Sequence, residues 1–351
     1  MFGDYQAPRI EPVPAGTPRP AWSVMIPAFH CAAYLRQTLE SVLAQDPGPE
    51  QMQIEVVDDC STKDDPEGVV REAGKGRVAF YRKPMNEGVC ANFNTCIERS
   101  RGRLVHILHG DDYLAPGFYQ SVGQALESHP CAGLAIVRCF QADRDGQIEY
   151  LGKRLTKDTE VFHALPDQLY ENSIFAPAVV ARRSAYEEHG GFSQSFLHVA
   201  DWEMWDRLTH FAGGIFLNEP LAFYRLYPEN DTNRLARTAD NLRDTLRLEE
   251  LFATRHPEFR RDLFQECVTE RAWKQYQRFR DLGDTAAAEA NYLLWYQLFR
   301  KTAPWHRRIR LDVKIALKSG FSELGAYAEA HAPQTVPLLR TVQGFFASRL
   351  L

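Results

Sequence analysis

The chain has 351 residues, with 41 Lys plus Arg against 46 Asp plus Glu, a formal charge of −5. Hydrophobic residues at 44% and charged residues at 25% are those of an ordinary globular protein, long enough for one large or two ordinary domains. Apolar runs such as Cys131 to Val137 fall far short of the ~18 residues a membrane span needs, no charged start leads into an apolar signal region, and a net acidic chain is a poor general binder of nucleic acid. Seven cysteines without C-x-x-C spacing argue against a zinc site or a disulfide framework and for free thiols in a reducing compartment.

Residues 1–20 carry Pro8, Pro12, Pro14, Pro18 and Pro20, which predicts an extended arm outside the core. Trp22 to Ile26 reads as a short apolar strand stopped by Pro27, and residues 33–43 place Ala33, Leu35, Leu39, Val42 and Leu43 at helical spacing. Ile54 to Val57 is a second strand ending in Asp58-Asp59, followed by Ser61-x-x-Asp64, a capping signal for a helical turn. Val78 to Tyr81 is a third strand, 88–99 a helix, and Arg103 to Leu108 a fourth strand. This alternation predicts an α/β fold, a largely parallel sheet flanked by helices, with ligands beyond the carboxyl ends of the strands. From Ala236 onward the strand pattern stops, and Pro257, Pro304, Pro333 and Pro337 divide what reads as a helical region. The charge divides there as well, −10 over residues 1–235 (22 Lys/Arg against 32 Asp/Glu) and +5 over 236–351 (19 against 14). The expected organisation is an arm 1–20, an α/β domain 21–235 and a helical region 236–351.

Asp111-Asp112 follows the apolar strand Leu104-Val-His-Ile-Leu108. Paired carboxylates at a strand end are hard oxygen ligands suited to Mg²⁺ or Mn²⁺, although Asp-Asp is also common in turns and caps. With Asp58-Asp59 at a second strand end, four carboxylates would gather at one sheet edge, which costs electrostatic energy unless cations or donors offset it.

Six ordered segments over about residues 20–230 resemble family 2 glycosyltransferases of the GT-A fold. They are Trp22-Ser-Val-Met-Ile-Pro-Ala-Phe-His30; Ile54-Glu-Val-Val-Asp-Asp-Cys-Ser-Thr62, with Cys60 where glycine is usual; Asn86-Glu-Gly-Val-Cys-Ala-Asn-Phe-Asn94; Leu108-His-Gly-Asp-Asp112; Gly190-Gly-Phe192 with Asp201-Trp-Glu-Met-Trp-Asp-Arg207; and Phe223-Tyr-Arg-Leu-Tyr-Pro228. The resemblance implies transfer of a sugar from a nucleotide-diphosphate donor to a hydroxyl of a glycan or lipid-linked acceptor, with inversion, a divalent cation (Mg²⁺ or Mn²⁺), a cytoplasmic location and a role in surface polysaccharide assembly. By similarity Asp111 touches the ribose and Asp112 the metal, and Asp201 is the base that takes the acceptor proton. Read without the resemblance, Asp201 is the cap of a helix Trp202 to Phe211. Pro27, Ala28 and Phe29 fall at the donor, with Phe29 packing on the base; Asp58 and Asp59 accept hydrogen bonds from nucleobase or ribose; Asn86 and Asn94 position the donor or its loop. His109 stands where many relatives have Asp and would bind metal only as a neutral imidazole. Tyr227 stands where many have His and is a poor Mg²⁺ ligand.

A sugar-phosphate nucleotidyltransferase would need a Gly-rich phosphate loop after the first strand, which Pro27-Ala-Phe-His30 cannot supply, and no G-x-G-x-x-G supports a dehydrogenase. A non-catalytic scaffold is disfavoured by the presence of both Asp112 and Asp201. Gln277-Arg-Phe279 does not reproduce the Q-x-x-R-W of processive polymerases. The basic run from Lys301 to Arg310, with Trp305 and Ile309 on one helical face, has two readings: an amphipathic helix on the acidic domain, or peripheral contact with an anionic membrane surface.

Overall fold

The computed structural model describes residues 5, 7–156 and 160–302. The chain divides into two compact units, Met1–Cys267 and Val268–Leu351. In the first, β1 (Trp22–Ala28), α1 (Ala32–Leu43), β2 (Met52–Asp58), α2 (Pro66–Gly74), β3 (Ala79–Arg82), α3 (Val89–Arg99) and β4 (Leu104–Ile107) alternate as the sequence predicts. There follow β5 (Tyr113–Leu114), α4 (Phe118–Ser128), β6 (Leu134–Ala142), β7 (Ile148–Leu151), β8 (Val179–Arg182), α5 (Arg183–His189), α6 (Ala200–Ala212) and β9 (Gly214–Arg225). Helices α7 (Asp231–Arg237), α8 (Asp240–Leu246) and α9 (Leu248–Arg255) complete the unit, and α10 (Arg261–Asp281) leads out of it to α11 (Thr285–Thr302).

All the strands join one sheet in the order β3-β2-β1-β4-β8-β6-β9-β5, with β7 also paired to β6. Every residue of β1 and β2 is buried, as expected for parallel strands covered on both faces. The β3-β2-β1-β4 half is parallel, whereas β8 runs antiparallel to both β4 and β6, and β5 antiparallel to β9. The sheet is therefore mixed: its first half follows the strand–helix–strand pattern, and β8 enters after a long irregular connection that imposes no parallel crossover.

Three local expectations change. Pro27 does not stop β1, which runs on to Ala28. β4 pairs only with Trp22–Met25, and the Pro27 carbonyl accepts from Gly110 N at 3.1 Å on that side, so the missing N–H falls where no strand needs it. The cap of α2 is Asp65, whose side chain accepts from Gly68 N at 2.9 Å, and not Ser61. Asp64 instead accepts from Ala32 N at 2.8 Å and so serves the start of α1 across the loops. Residues 7–20 are without helix or strand, yet they pack on the domain: Ile10 is buried, and the Pro8 carbonyl accepts from Gly191 N at 2.7 Å. Proline removes donors but leaves carbonyl acceptors, so such an arm can still be fastened.

Beyond Arg225 the described residues are helical apart from their connections. The boundary expected at 235/236 falls inside α7, and the first compact unit continues to Cys267 because α8 and α9 are tied to α6. Asp244 accepts from Leu197 N, His198 N and Val199 N at 2.7–3.2 Å, and Arg255 pairs with Asp206 at 2.5 Å. Within the second unit, aromatic side chains of α10 and α11 meet, as Trp273 and Trp295 do at 4.5 Å between centroids. No helix among the described residues is long and apolar enough to cross a membrane. Arg307, Arg308 and Arg310 lie outside the described residues.

Cys60, in the position expected to favour glycine, has φ +63°, a left-handed conformation that costs an L-residue about 1 kcal/mol. Cys60→Gly should therefore stabilise the fold by up to about 1 kcal/mol, read as a rise in thermal midpoint; a drop would show that the thiol's packing outweighs the backbone strain.

Candidate active site

β1, β2 and β4 are parallel and in register, so Ala28, Asp58 and the turn after Ile107 leave the sheet at the same edge. That turn, Leu108-His-Gly-Asp-Asp112, is held from several sides. The Thr38 hydroxyl donates to Gly110 O at 3.0 Å and to Asp112 O at 2.6 Å. Gly110 is needed for close approach, since a Cβ there would lie 2.6 Å from Cys31 Sγ and 3.3 Å from the Pro27 carbonyl. Short β5 then pairs Tyr113 and Leu114 with Phe223 and Ala222 of β9, which brings Arg225 against the two aspartates.

Arg225 N donates to Asp112 Oδ1 at 2.8 Å, its Nε to Asp111 O at 2.9 Å and its Nη2 to Gln37 Oε1 at 2.6 Å. The Tyr227 hydroxyl donates to Asp111 Oδ2 at 2.9 Å. Asp112 is 1% exposed, and its Oδ2 is buried without a hydrogen-bond partner. Burial first, then the charge of Asp111, pushes its carboxyl well above the usual range. The His109 ring stacks on Phe93 at 5.0 Å and 16°, with Nδ1 3.5 Å from Asp112 Oδ2. Burial lowers its pKa and favours the neutral imidazole. Ligand atoms of His109, Asp111 and Asp112 lie within 4.8 Å of one another. A buried carboxylate oxygen with no donor, beside a second carboxylate and an imidazole, fits a divalent cation.

The other residues expected at the donor sit along the same edge, with differing freedom. Pro27 and Ala28 are buried, and the Ala28 carbonyl accepts from Asp59 N at 2.9 Å. Phe29 is 47% exposed, an accessible aromatic face at the end of β1. Asp58 is buried and accepts from Ser61 Oγ at 2.5 Å and Arg82 Nε at 2.7 Å. Asp59 accepts from Glu87 N at 3.1 Å and Gly88 N at 2.9 Å and pairs with Lys83 at 3.1 Å, fastening the loop that holds Asn86. Asn86 donates to Asp59 O at a long 3.4 Å. Asn94 is buried and makes a two-point clamp with Phe192, Nδ2 donating to its carbonyl at 2.8 Å and Oδ1 accepting its N–H at 2.7 Å. It orders the Gly190-Gly-Phe192 segment.

Asp201 is partly buried in the first turn of α6, two residues past the N-cap position Val199. It is not the N-cap; its Oδ1 accepts from the adjacent Trp202 N at 2.7 Å. Burial raises its pKa to about 6 against hydrogen bonds from Trp202 N and the Asn172 side chain. Helix α3 links this region to the aspartate turn: Phe93 contacts both His109 and Phe192, each at 5.0 Å, and the Cys90 thiol donates to Phe196 O at 3.5 Å. The hydroxyl of Tyr224 is hydrogen-bonded to Thr232 at 2.9 Å; its pKa is raised by burial first and, more weakly, by the charges of Asp112, Asp111 and Asp201. Tyr224, Arg225 and Asp244 escaped the reading of single residues. Tyr224 and Arg225 lie inside the matched segment Phe223 to Pro228, while nothing in the sequence near Asp244 marks it.

A family model described as glycosyl transferase family 2 matches residues 23–190. The chain is 30% identical over 243 residues to uncharacterized protein MT1568 of Mycobacterium tuberculosis, covering 66% of this chain and 75% of that one. The chain belongs to glycosyltransferase family 2. Escherichia coli chondroitin synthase is 33% identical over 198 residues, 54% of this chain but 26% of the synthase. Residues 1–349 of S. aureus TarS, solved with UDP-GlcNAc, superpose with a TM-score of 0.56 at 15% identity, covering 79% of this chain and 81% of that one, a likeness of fold. The protein is a glycosyltransferase of GT-A architecture.

Asp244 carries a specific expectation. Asp244→Ala removes the acceptor of three backbone donors ahead of Asp201. It should cost about 2–4 kcal/mol of stability and lower sugar transfer; denaturant unfolding and a transfer assay check both.

Proposed function

We propose that this glycosyltransferase moves a sugar from a nucleoside-diphosphate donor to an acceptor hydroxyl by a single, inverting displacement. The observation that carries the reading is the aspartate turn beyond β4, where ligand atoms of His109, Asp111 and Asp112 lie within 4.8 Å of one another and one buried oxygen of Asp112 is unpartnered. Asp111 and Asp112 would hold a divalent cation, Mg²⁺ or Mn²⁺, which when bound neutralises the charge of the departing diphosphate. Phe29 packs on the nucleobase, and Asp58, Asp59 and Asn86 shape the donor loop. Asp201 takes the proton of the acceptor hydroxyl as its oxygen bonds to the anomeric carbon and the bond to the diphosphate oxygen breaks. A carboxylate raised to about 6 is ionised at neutral pH and still basic enough for that transfer. The names of the relatives support a glycan acceptor in surface polysaccharide assembly; contact with a membrane surface through the basic C-terminal run belongs to the same proposal.

Release of nucleoside diphosphate over a panel of nucleotide sugars, with Mn²⁺ or Mg²⁺, tests the reading. Asp112→Ala should abolish metal-dependent binding of the cognate nucleoside diphosphate in calorimetry, and unchanged affinity would remove Asp112 from the cation site. Asp201→Asn should leave that binding intact and lower transfer by ~10² or more. The acid limb of kcat/KM should lie near pH 6 and vanish in the variant. Because the folded-state pKa of Asp201 lies above its ordinary 3.8, ionisation weakens the fold as pH rises through 3.8 to about 6, so Asp201→Asn should be at least as stable as wild type at pH 7. Retained turnover in Asp201→Asn would send the search for the base elsewhere.

A further inference from the structure

We infer that the N-terminal arm is a working part of the catalytic edge, and that Tyr5 is a positioning residue for Asp201. The inference rests on the proposed role of Asp201 as the base and adds what holds it. Tyr5 touches the chain on both sides of that residue. Its hydroxyl donates to Glu203 Oε1, two positions after Asp201 in the first turn of α6. Its ring meets that of Phe196, five positions before Asp201, at 6.2 Å between centroids. Phe196 is buried and pins the loop ahead of α6: Arg247 lies over its ring at 5.4 Å, and its carbonyl accepts from the Cys90 thiol at 3.5 Å. One side chain therefore ties the approach to α6 to the helix itself, with Asp201 between the two ties.

The arm is seated firmly enough to act this way. The Pro8 carbonyl accepts from Gly191 N at 2.7 Å, Ile10 is 1% exposed, and the Glu11 carbonyl accepts from Arg183 Nη1 at 3.2 Å. The Gly190-Gly191 pair is fitted to it. A Cβ on Gly190 would lie 2.9 Å from Ala7 Cβ, and one on Gly191 would strike Asn94 Oδ1 and lie 3.0 Å from Ile10 Cδ1. The glycines thus admit the arm on one side and the Asn94 clamp on the other. Burial, then the charge of Glu203, pushes the Tyr5 hydroxyl up to about 12, so it stays a donor at neutral pH. Glu203 Oε1 also receives Arg207 at 3.0 Å and Arg255 at 3.1 Å. Its charge is met even without the phenol, and the ring against Phe196 is the larger part of the tie.

The experiment compares full-length wild type, Tyr5→Ala and Tyr5→Phe in two ways. One is hydrolysis of the nucleotide sugar most active in the donor panel, with water standing in for the acceptor; the other is amide hydrogen exchange. In Tyr5→Ala, kcat should fall ~10-fold or more while KM for the nucleotide sugar stays as in wild type, because the base is misplaced and the donor edge is not. The amides of Leu197, His198 and Val199 should exchange ~10-fold or more faster, with those of β1 unchanged. Tyr5→Phe keeps the ring and should hold kcat within ~3-fold of wild type. Unchanged exchange ahead of Asp201 in Tyr5→Ala would overturn the inference whatever the enzyme transfers. Exchange that rises equally in β1, with KM rising as kcat falls, would make the arm a general tether and overturn it as well. Wild type inactive on the whole donor panel would overturn the proposed function, and the positioning role with it. Should Tyr5→Ala fail to fold, Tyr5→Leu, which fills part of the same space without ring or hydroxyl, carries the same comparison.

Discussion

The arrangement of this enzyme follows from one electrostatic demand: two adjacent carboxylates, Asp111 and Asp112, share one turn, and Asp112 is 1% exposed. Like charges in such a place raise one another's pKa and push the chain apart unless donors or a cation offset them. Arg225 meets most of that demand within the chain. It is 2% exposed, lies over the faces of Tyr34 and Tyr113, and ties the aspartate turn to α1 and to the 144 loop. One oxygen of Asp112 remains without a partner, and the proposed cation would meet that part of the demand. A turn whose donors were all satisfied internally would have none to offer.

The region around Asp201 is built by a different device. Helix α6 carries Asp201 at one end and, one turn on, a buried ionic network. Glu203 is fully buried and receives Arg207 at 3.0 Å, Arg255 at 3.1 Å and the Tyr5 hydroxyl, while Asp206 receives Arg255 and His256. Arg207 also donates to the carbonyls of Gly190 and Gly191, and so fixes the glycine segment that Asn94 clamps from the other side. Buried pairs of this kind add little net stability over apolar packing, but removing one partner leaves a charge stranded. They therefore hold α6 in one orientation. The N-terminal arm and α8–α9 both end in this network, which explains why neither behaves as an appendage.

Much of this was legible along the chain. The parallel half of the sheet and the aspartate turn were readable because apolar strands of four to seven residues, each followed by polar loop residues, encode a parallel sheet and its ligand-bearing edge by local pattern alone. The left-handed loop position at Cys60 was visible as a departure from glycine. Asp201 could be named but not assigned, since an aspartate at a helix start fits a cap as well as a base; in the fold it lies two residues past the N-cap position Val199.

What the sequence by itself determined is therefore local: strand and helix order through β4, the carboxylates at two strand ends, and the family to which their spacing belongs. Tertiary structure alone decided the rest, because each remaining feature depends on partners far apart in the chain. Asp112 meets Arg225 across 113 residues, Asn94 clamps Phe192 across 98, Asp244 reaches back 47 to Leu197, and the Pro8 carbonyl finds Gly191. Periodicity records which face of an element is buried but not which polar group will be buried opposite it, and here those polar pairings set which carboxylate oxygen is left open.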